Sequence, residues 1–327
     1  MRFSFLLLLT SLWWIHAQEA FTDTSLLMGS RFDITVVANN TEEADAFIAM
    51  AKAEIIRIEQ LISSWNPNSE TSKINKNAGV SPVSVSDELY DLIQRSLFIS
   101  KITQGAFDIT YAAMDTIWKF DGTMLKLPSS EKIEQAIFNV GYEQVVMNPE
   151  KKTIYLPQKG MKIGFGAVGK GYAADAAKRM LKKNGVLGGI INASGDMNTW
   201  GSQPDGKPWR IAITNPLNKN KVFSWFELSD NAVVTSGNYE KFILLEGKRF
   251  SHIIDPRTGY PSTGIISCSV FAPSAEMADA LATAVFVLGT ENGLNLINQL
   301  PNIECVLILE NGDIATSKSI EVKHPSE

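Results

Sequence analysis

Four stretches of this chain carry residue types that can do chemistry. The first is Gly164-Phe165-Gly166-Ala167-Val168-Gly169-Lys170-Gly171. It contains the GxGxxG spacing of a dinucleotide turn. It also nearly spells the GxxxxGK phosphate loop, but Gly171 stands where that loop needs a Ser or Thr hydroxyl for its cation. Glycines let a backbone approach phosphate closely, and a helix opening here turns its positive end to an anion. The competing reading is a tight corner into a helix, with glycines kept for packing. A Rossmann-type unit opens its domain after a strong strand, whereas the run before these glycines, 161–163, is weak and lies mid-chain.

The second stretch is Glu276-Met277-Ala278-Asp279-Ala280-Leu281-Ala282-Thr283, continued by an apolar run to Leu288. Asp279 and Thr283 share one helical face. The helix around them is so apolar that burial is expected, and a buried carboxylate must be paired or bind a cation. Carboxylate and hydroxyl are hard oxygen ligands suited to Mg²⁺ or Ca²⁺. Against this, Asp279 can bond a neighbouring backbone NH and Thr283 the preceding turn.

The third stretch, 249–259, delivers His252 from a strand into the turn Asp255-Pro256. The chain has three histidines, and His16 and His324 fall in the two terminal segments. His252 is therefore the one candidate in the folded body for a proton acceptor near neutral pH, set against a structural role for a lone histidine. A His/Cys zinc centre, which takes three or four clustered ligands, is excluded on the same count. The fourth stretch is dispersed: Asn192-Ala193-Ser194-Gly195-Asp196 and Thr235-Ser236-Gly237, small polar loops at strand ends.

The elements that must position these residues come from a chain of 327 residues, 45% hydrophobic and 20% charged. That is enough for a large core and argues against disorder. The net charge of −5 speaks against nucleic acid as a partner. Residues 1–17 read as a secretory signal peptide, with Arg2 before an apolar stretch and Ala17 before polar Gln18. Ile15 makes the cleavage site imperfect, so an uncleaved anchor is the alternative. The expectation is export to a bacterial periplasm, peripheral to a membrane at most, with no later segment apolar enough to span one. Cys268 and Cys305 lie in apolar runs without metal or redox spacing; they read as buried hydrophobes, with a disulfide as the alternative.

Residues 18–327 read as one α+β unit, mixed sheets with packed helices, or two interleaved lobes. Helical periodicity runs from 44 to 62, with Thr41 as cap. A polar loop spans 63–77, and further helices start after Ser86 and at Ser130, Tyr172 and Ala275. Strand-like runs include 32–38, Gly189–Ala193, Trp209–Thr214, Val222–Leu228, 232–235, 267–272, and hairpins around Asn148-Pro149, Gly247 and Asn311-Gly312.

Taken in order, eight segments resemble the ApbE family of FAD:protein FMN transferases. They are Met28–Phe32, Ser64–Pro67 with Ser69-Glu70 and Ile74-Asn75, Gly105–Thr110, Gly166–Asp175, Asn192–Asp196, Thr235–Tyr239, Ser251–Gly259 and Ala278–Thr283. The resemblance implies a T-fold-like α+β architecture, FAD as donor and Mg²⁺ as cofactor. The partner it implies is a target flavoprotein whose Thr or Ser accepts FMN through its phosphate, with release of AMP. By position, Met28, Trp65, Asn66, Pro67, Asp108, Lys170 and Ile253 match FAD contacts, while Asp279, Thr283 and the Ala167 carbonyl match metal ligands. His252 is then the residue expected to take or relay the acceptor's proton. Two positions depart from the family pattern. Gly164 replaces a frequent acidic residue, and Trp65 replaces a frequent tyrosine, keeping the aromatic face without the hydroxyl. Three other readings stay open: a Mg²⁺-dependent FAD pyrophosphatase, a nicotinamide oxidoreductase built on the glycine run, and a non-catalytic flavin-binding protein.

Overall fold

The structure, a computed structural model, describes residues 18–320 except 219, 220, 240 and 246. The leader expected at 1–17, and His324, lie outside the described residues. Strands β1 (Glu19–Leu27) and β2 (Ser30–Ala38) form a hairpin in which Leu27 faces Ser30. Its two loop residues, Met28 and Gly29, have φ of 51° and 67°. Positive φ at both positions matches the twist of the paired strands.

Helix α1 (Thr41–Ile62) follows, and its cap is Asn40 rather than Thr41. The Glu43 amide donates to Asn40 Oδ1 at 2.9 Å, which satisfies an orphan amide of the first turn. Its stripe of Ile48, Ile55, Ile58 and Ile62 is buried, each side chain contributing about 1.5–3 kcal/mol. The polar stretch expected as a loop contains α2 (Glu70–Lys76), capped by Ser69. Next come β3 (Val83–Ser84) and α3 (Asp87–Ile102), the latter capped by Ser86 as expected. A 3-10 turn, Ile109–Met114, and α4 (Ser130–Ile137) lead to β4 (Val146–Asn148) and β5 (Thr153–Tyr155), which pair with β3 in a small sheet.

Helix α5 (Gly169–Lys183) precedes β6 (Gly189–Ala193) and β7 (Asp196–Trp200), with β8 (Trp209–Thr214) and β9 (Val222–Leu228) beyond them. Then follow β10 (Ala232–Gly237), β11 (Phe242–Leu245), β12 (Lys248–Ser251) and β13 (Ile265–Ala272). Helix α6 (Ala275–Ile297), broken at Gly289 where φ is 78°, is followed by β14 (Glu304–Leu309) and β15 (Ile314–Thr316).

The main sheet has eight antiparallel strands in the order β1-β2-β6-β7-β10-β13-β14-β15. Helices α1, α5 and α6 lie against one face. The β8–β9 hairpin covers the other, where Val37, Val233, Phe271 and Val306 pack with Trp209, Ile211 and Phe223. This is the period-2 alternation of a sheet covered on both sides. By length and composition α6 could cross a membrane, contrary to the sequence expectation. Its first turns are buried instead, with Ala278, Leu281, Ala282 and Val285 in the core. Cys268 and Cys305 are buried free thiols on adjacent strands, out of register by two residues. A third cluster joins Met114 and Trp118 to Ile133 of α4 and to Ile243 and Leu245 of β11. It holds the β11–β12 hairpin beside the end of the main sheet.

Candidate active site

A cavity of about 690 Å³ opens between the main sheet, the 3-10 turn and the β11–β12 hairpin. That size suits a nucleotide-scale ligand. Its wall is assembled from the glycine run, the Asp196 and Thr235 strand ends, the hairpin's base, and one face of α6.

The glycine run serves two purposes. Helix α5 starts within it, at Gly169, three residues before the expected Tyr172. Gly166 has open space where a Cβ would project, and with Ala167 and Lys170 it lines the cavity. Gly171 is different. A Cβ there would run into the Ala275 carbonyl, 2.5 Å from its carbon and 2.9 Å from the Glu276 amide nitrogen. The residue that breaks the phosphate-loop pattern is glycine because α6 crosses α5 at that point.

This crossing brings the first two sequence signals together. Gly171 donates its amide to Asp279 Oδ2 at 3.1 Å. Val168, at the N-cap position of α5, makes no side-chain cap bond, so Asp279 caps α5 from a neighbouring helix. Asp279 is 5% exposed. Burial pushes its carboxyl above the usual range, opposed by the Lys170 charge and the Gly171 amide. Asp279, Thr283 and Ala167 all line the cavity. One carboxylate, one hydroxyl and a nearby carbonyl fit Mg²⁺, which keeps several waters and takes one or two carboxylates plus substrate phosphates. Among the described residues no three His, Cys, Asp or Glu cluster as a soft or all-protein metal cage.

Lys170 pairs with Asp196, which is 1% exposed. Asp196 is placed by the Ser194-Gly195 turn of the β6–β7 hairpin, both residues at positive φ. His252 follows β12 and lines the cavity. Its Nδ1 lies 2.9 Å from the Lys241 carbonyl oxygen. A carbonyl only accepts, so Nδ1 carries the proton and the neutral ring has its lone pair on Nε2. Burial lowers the imidazole pKa below its ordinary value; the bond to Lys241 opposes this, and the Lys241 and Lys170 charges add to it.

Of the other expected contacts, Trp65, Asp108 and Ile253 line the cavity. Trp65 is 82% exposed, an aromatic plate at the opening. Asp108 is organised by the protein itself. Its Oδ1 accepts from the Thr110 amide and hydroxyl at 2.8 and 2.6 Å, and its Oδ2 from the Tyr142 amide at 2.8 Å. Burial still raises its pKa against those bonds. Met28, Asn66 and Pro67 are not on the wall. Met28 packs against the core beneath Gly169, and Ser30 of the same segment reaches the cavity instead. Asn66 turns inward on its loop, its Oδ1 accepting from the Asn68 amide at 3.0 Å.

Sequence reasoning missed Tyr111, Asp115 and Lys241, all on the wall, whereas Ser236 of the fourth stretch is there as well. Lys241 contributes a backbone carbonyl, which no residue type announces. Tyr111 and Asp115 lie in an apolar stretch that resolves into a 3-10 turn only in three dimensions.

The sequence pattern of the ApbE family matches residues 28–307. The chain is 30% identical over 292 residues to an FAD:protein FMN transferase of Klebsiella pneumoniae, covering 88% of this chain and 83% of that one. The crystal structure of the ApbE protein of Thermotoga maritima superposes with a TM-score of 0.85 at 30% identity, over 92% of this chain and 98% of that one. The apo flavinyl transferase ApbE of Pseudomonas stutzeri gives 0.82 at 26% identity, over 92% and 95%.

Proposed function

The chain belongs to the ApbE family, and on that premise we propose that it is a Mg²⁺-dependent FAD:protein FMN transferase. It cleaves FAD, joins the FMN half through its phosphate to a Thr or Ser hydroxyl of a target flavoprotein, and releases AMP. The observation that carries this reading is the meeting of the glycine run and the buried α6 carboxylate in one cavity, through the bond from Gly171 to Asp279.

The geometry supports the following roles for this chain's residues. The diphosphate of FAD lies along Gly166, Ala167 and the start of α5, where backbone amides and the helix end favour anions. Lys170 adds positive charge there. Trp65 offers its face to a ring of the dinucleotide at the opening. Asp279 and Thr283, with the Ala167 carbonyl, would hold the cation, which would supply charge neutralisation for the diphosphate. His252 Nε2 takes the acceptor's proton. The hydroxyl oxygen forms a bond to the FMN phosphorus, the bond from that phosphorus to the bridging oxygen breaks, and the bridging oxygen leaves with AMP. With residues 1–17 taken as an export leader, the reaction belongs in a bacterial periplasm.

The test is incubation with FAD, Mg²⁺ and a target carrying an acceptor Thr. A flavin-fluorescent target band with stoichiometric AMP supports transfer. Free FMN and AMP without a labelled target indicate hydrolysis, and bound FAD with no AMP indicates a flavin-binding protein.

A further inference from the structure

Asp175 sits on α5 one turn beyond Gly171, away from the cavity wall and 6% exposed. Its two oxygens accept from the first two amides of α6, Ala275 N at 3.1 Å to Oδ1 and Glu276 N at 2.8 Å to Oδ2. Ser274 takes the third, the Met277 amide, at 3.1 Å. The two helices thus exchange caps. Asp175 of α5 satisfies the orphan amides of α6, and Asp279 of α6 satisfies the Gly171 amide of α5. Asp175 is itself braced: Asn198 Nδ2 donates to its Oδ1 at 2.5 Å, and Lys178 donates to Asn198 Oδ1 at 2.9 Å. Asn198 is fully buried in β7, so the brace ties the crossing to the sheet.

We propose that Asp175 is a positioning residue for the cation site: its bonds to the start of α6 fix where that helix crosses α5, and hence where Asp279 stands. This rests on the cation reading above. The reasoning is geometric. Asp279 is four residues beyond Ala275, one turn along the same rigid helix, and the absence of a Cβ at Gly171 lets the two backbones touch. A carboxylate that anchors the start of the ligand's helix then acts, one turn away, as the groups around metal ligands do, by holding a first ligand in place.

The experiment measures Mg²⁺ binding directly, by calorimetry on the FAD-free protein and by the thermal shift that Mg²⁺ produces. Wild type, Asp175→Asn and Ser274→Ala are compared. Asp175→Asn is nearly isosteric but replaces one accepting oxygen with a donor that faces another donor. It is expected to weaken Mg²⁺ by about 10- to 100-fold, the usual effect of losing such a partner. Ser274→Ala removes a cap on the same helix without touching the exchange between helices; it lowers the melting temperature and leaves the Mg²⁺ midpoint where it was. Equal Mg²⁺ affinity in Asp175→Asn and wild type overturns the proposal, as does equal weakening in Ser274→Ala. Should Asp175→Asn not fold, Asn198→Ser carries the same expectation and the same refutation. Wild type that binds no Mg²⁺ in any assay sinks the cation reading itself, a distinct result from failure of the positioning role.

Discussion

Replacing Gly171 with alanine sets two opposed effects against each other. Within a helix, Ala is favoured over Gly by about 1 kcal/mol. Gly171 is the third residue of α5 and has no positive φ, so backbone preference alone favours the substitution. The steric effect is larger. The new methyl would lie 2.5 Å from the Ala275 carbonyl carbon and 2.9 Å from the Glu276 nitrogen, against a comfortable separation of about 3.5 Å or more. Both neighbours are backbone, so the helices must part by about 1 Å. Overpacking of that kind costs about 1–3 kcal/mol. Loss of the Gly171–Asp279 bond adds roughly 1–3 kcal/mol. The net expectation is destabilisation of about 1–5 kcal/mol after the helix preference is subtracted, with turnover down about 100-fold because the cation ligand moves by that distance. Thermal melting and Mg²⁺-dependent AMP release read the two effects separately. Gly171→Ser, which completes the phosphate-loop pattern, is expected to be at least as damaging. A Gly171→Ala or Gly171→Ser protein with wild-type melting and wild-type turnover would refute the helix-crossing account of this glycine.

Other positions give sharper or milder outcomes. His252→Ala should lower turnover by about 10²–10⁴-fold with little change in the KM for FAD; a loss confined to KM would contradict the proton-acceptor role. Because burial holds the imidazole below its ordinary 6.5, the acid limb of kcat/KM should lie below pH 6.5 and be absent in His252→Ala. The sign is fixed by the shift: the ring stays neutral, and able to accept, from neutral pH down to that limb. Trp65→Ala should change stability by no more than about 0.5 kcal/mol, since the ring is 82% exposed. It should raise the KM for FAD about 3- to 10-fold, the worth of one aromatic stacking contact, and an unchanged KM argues against stacking at the opening. Cys268 and Cys305 should resist thiol reagents at pH 8 in the native protein and react on unfolding, because burial raises both, Cys305 to about 12. Rapid native labelling would contradict their burial.

Much of this was legible in the residues, for physical reasons that also mark where legibility ends. The bounds of β6, β8 and β9 match the runs read from sequence, since β-branched and aromatic residues stand there between Gly, Asn and Asp breakers. Helices α1 and α3 follow their apolar stripes. Helix α2 does not, because its seven residues are mostly polar and bury only Thr71 and Ile74. Strand β7 is hidden by Asn198 and Thr199, polar residues buried on tertiary partners that sequence cannot supply: Lys178, Asp175 and the Asn231 carbonyl. In the site, Asp279 was visible as a carboxylate in an apolar helix. The geometry adds that the bond it makes is to the very glycine that spoils the phosphate-loop pattern. The tautomer of His252 was not visible, because a backbone carbonyl sets it.

The most direct measurement is AMP release from FAD across a Mg²⁺ titration, in wild type and in Asp279→Ala of matched secondary structure. Wild type should release AMP only with a divalent cation and stop on chelation. Asp279→Ala should stay folded yet release none at any Mg²⁺ concentration. AMP release by the variant at the wild-type rate, or by wild type in the presence of EDTA, would contradict a cation held on α6 beside the diphosphate.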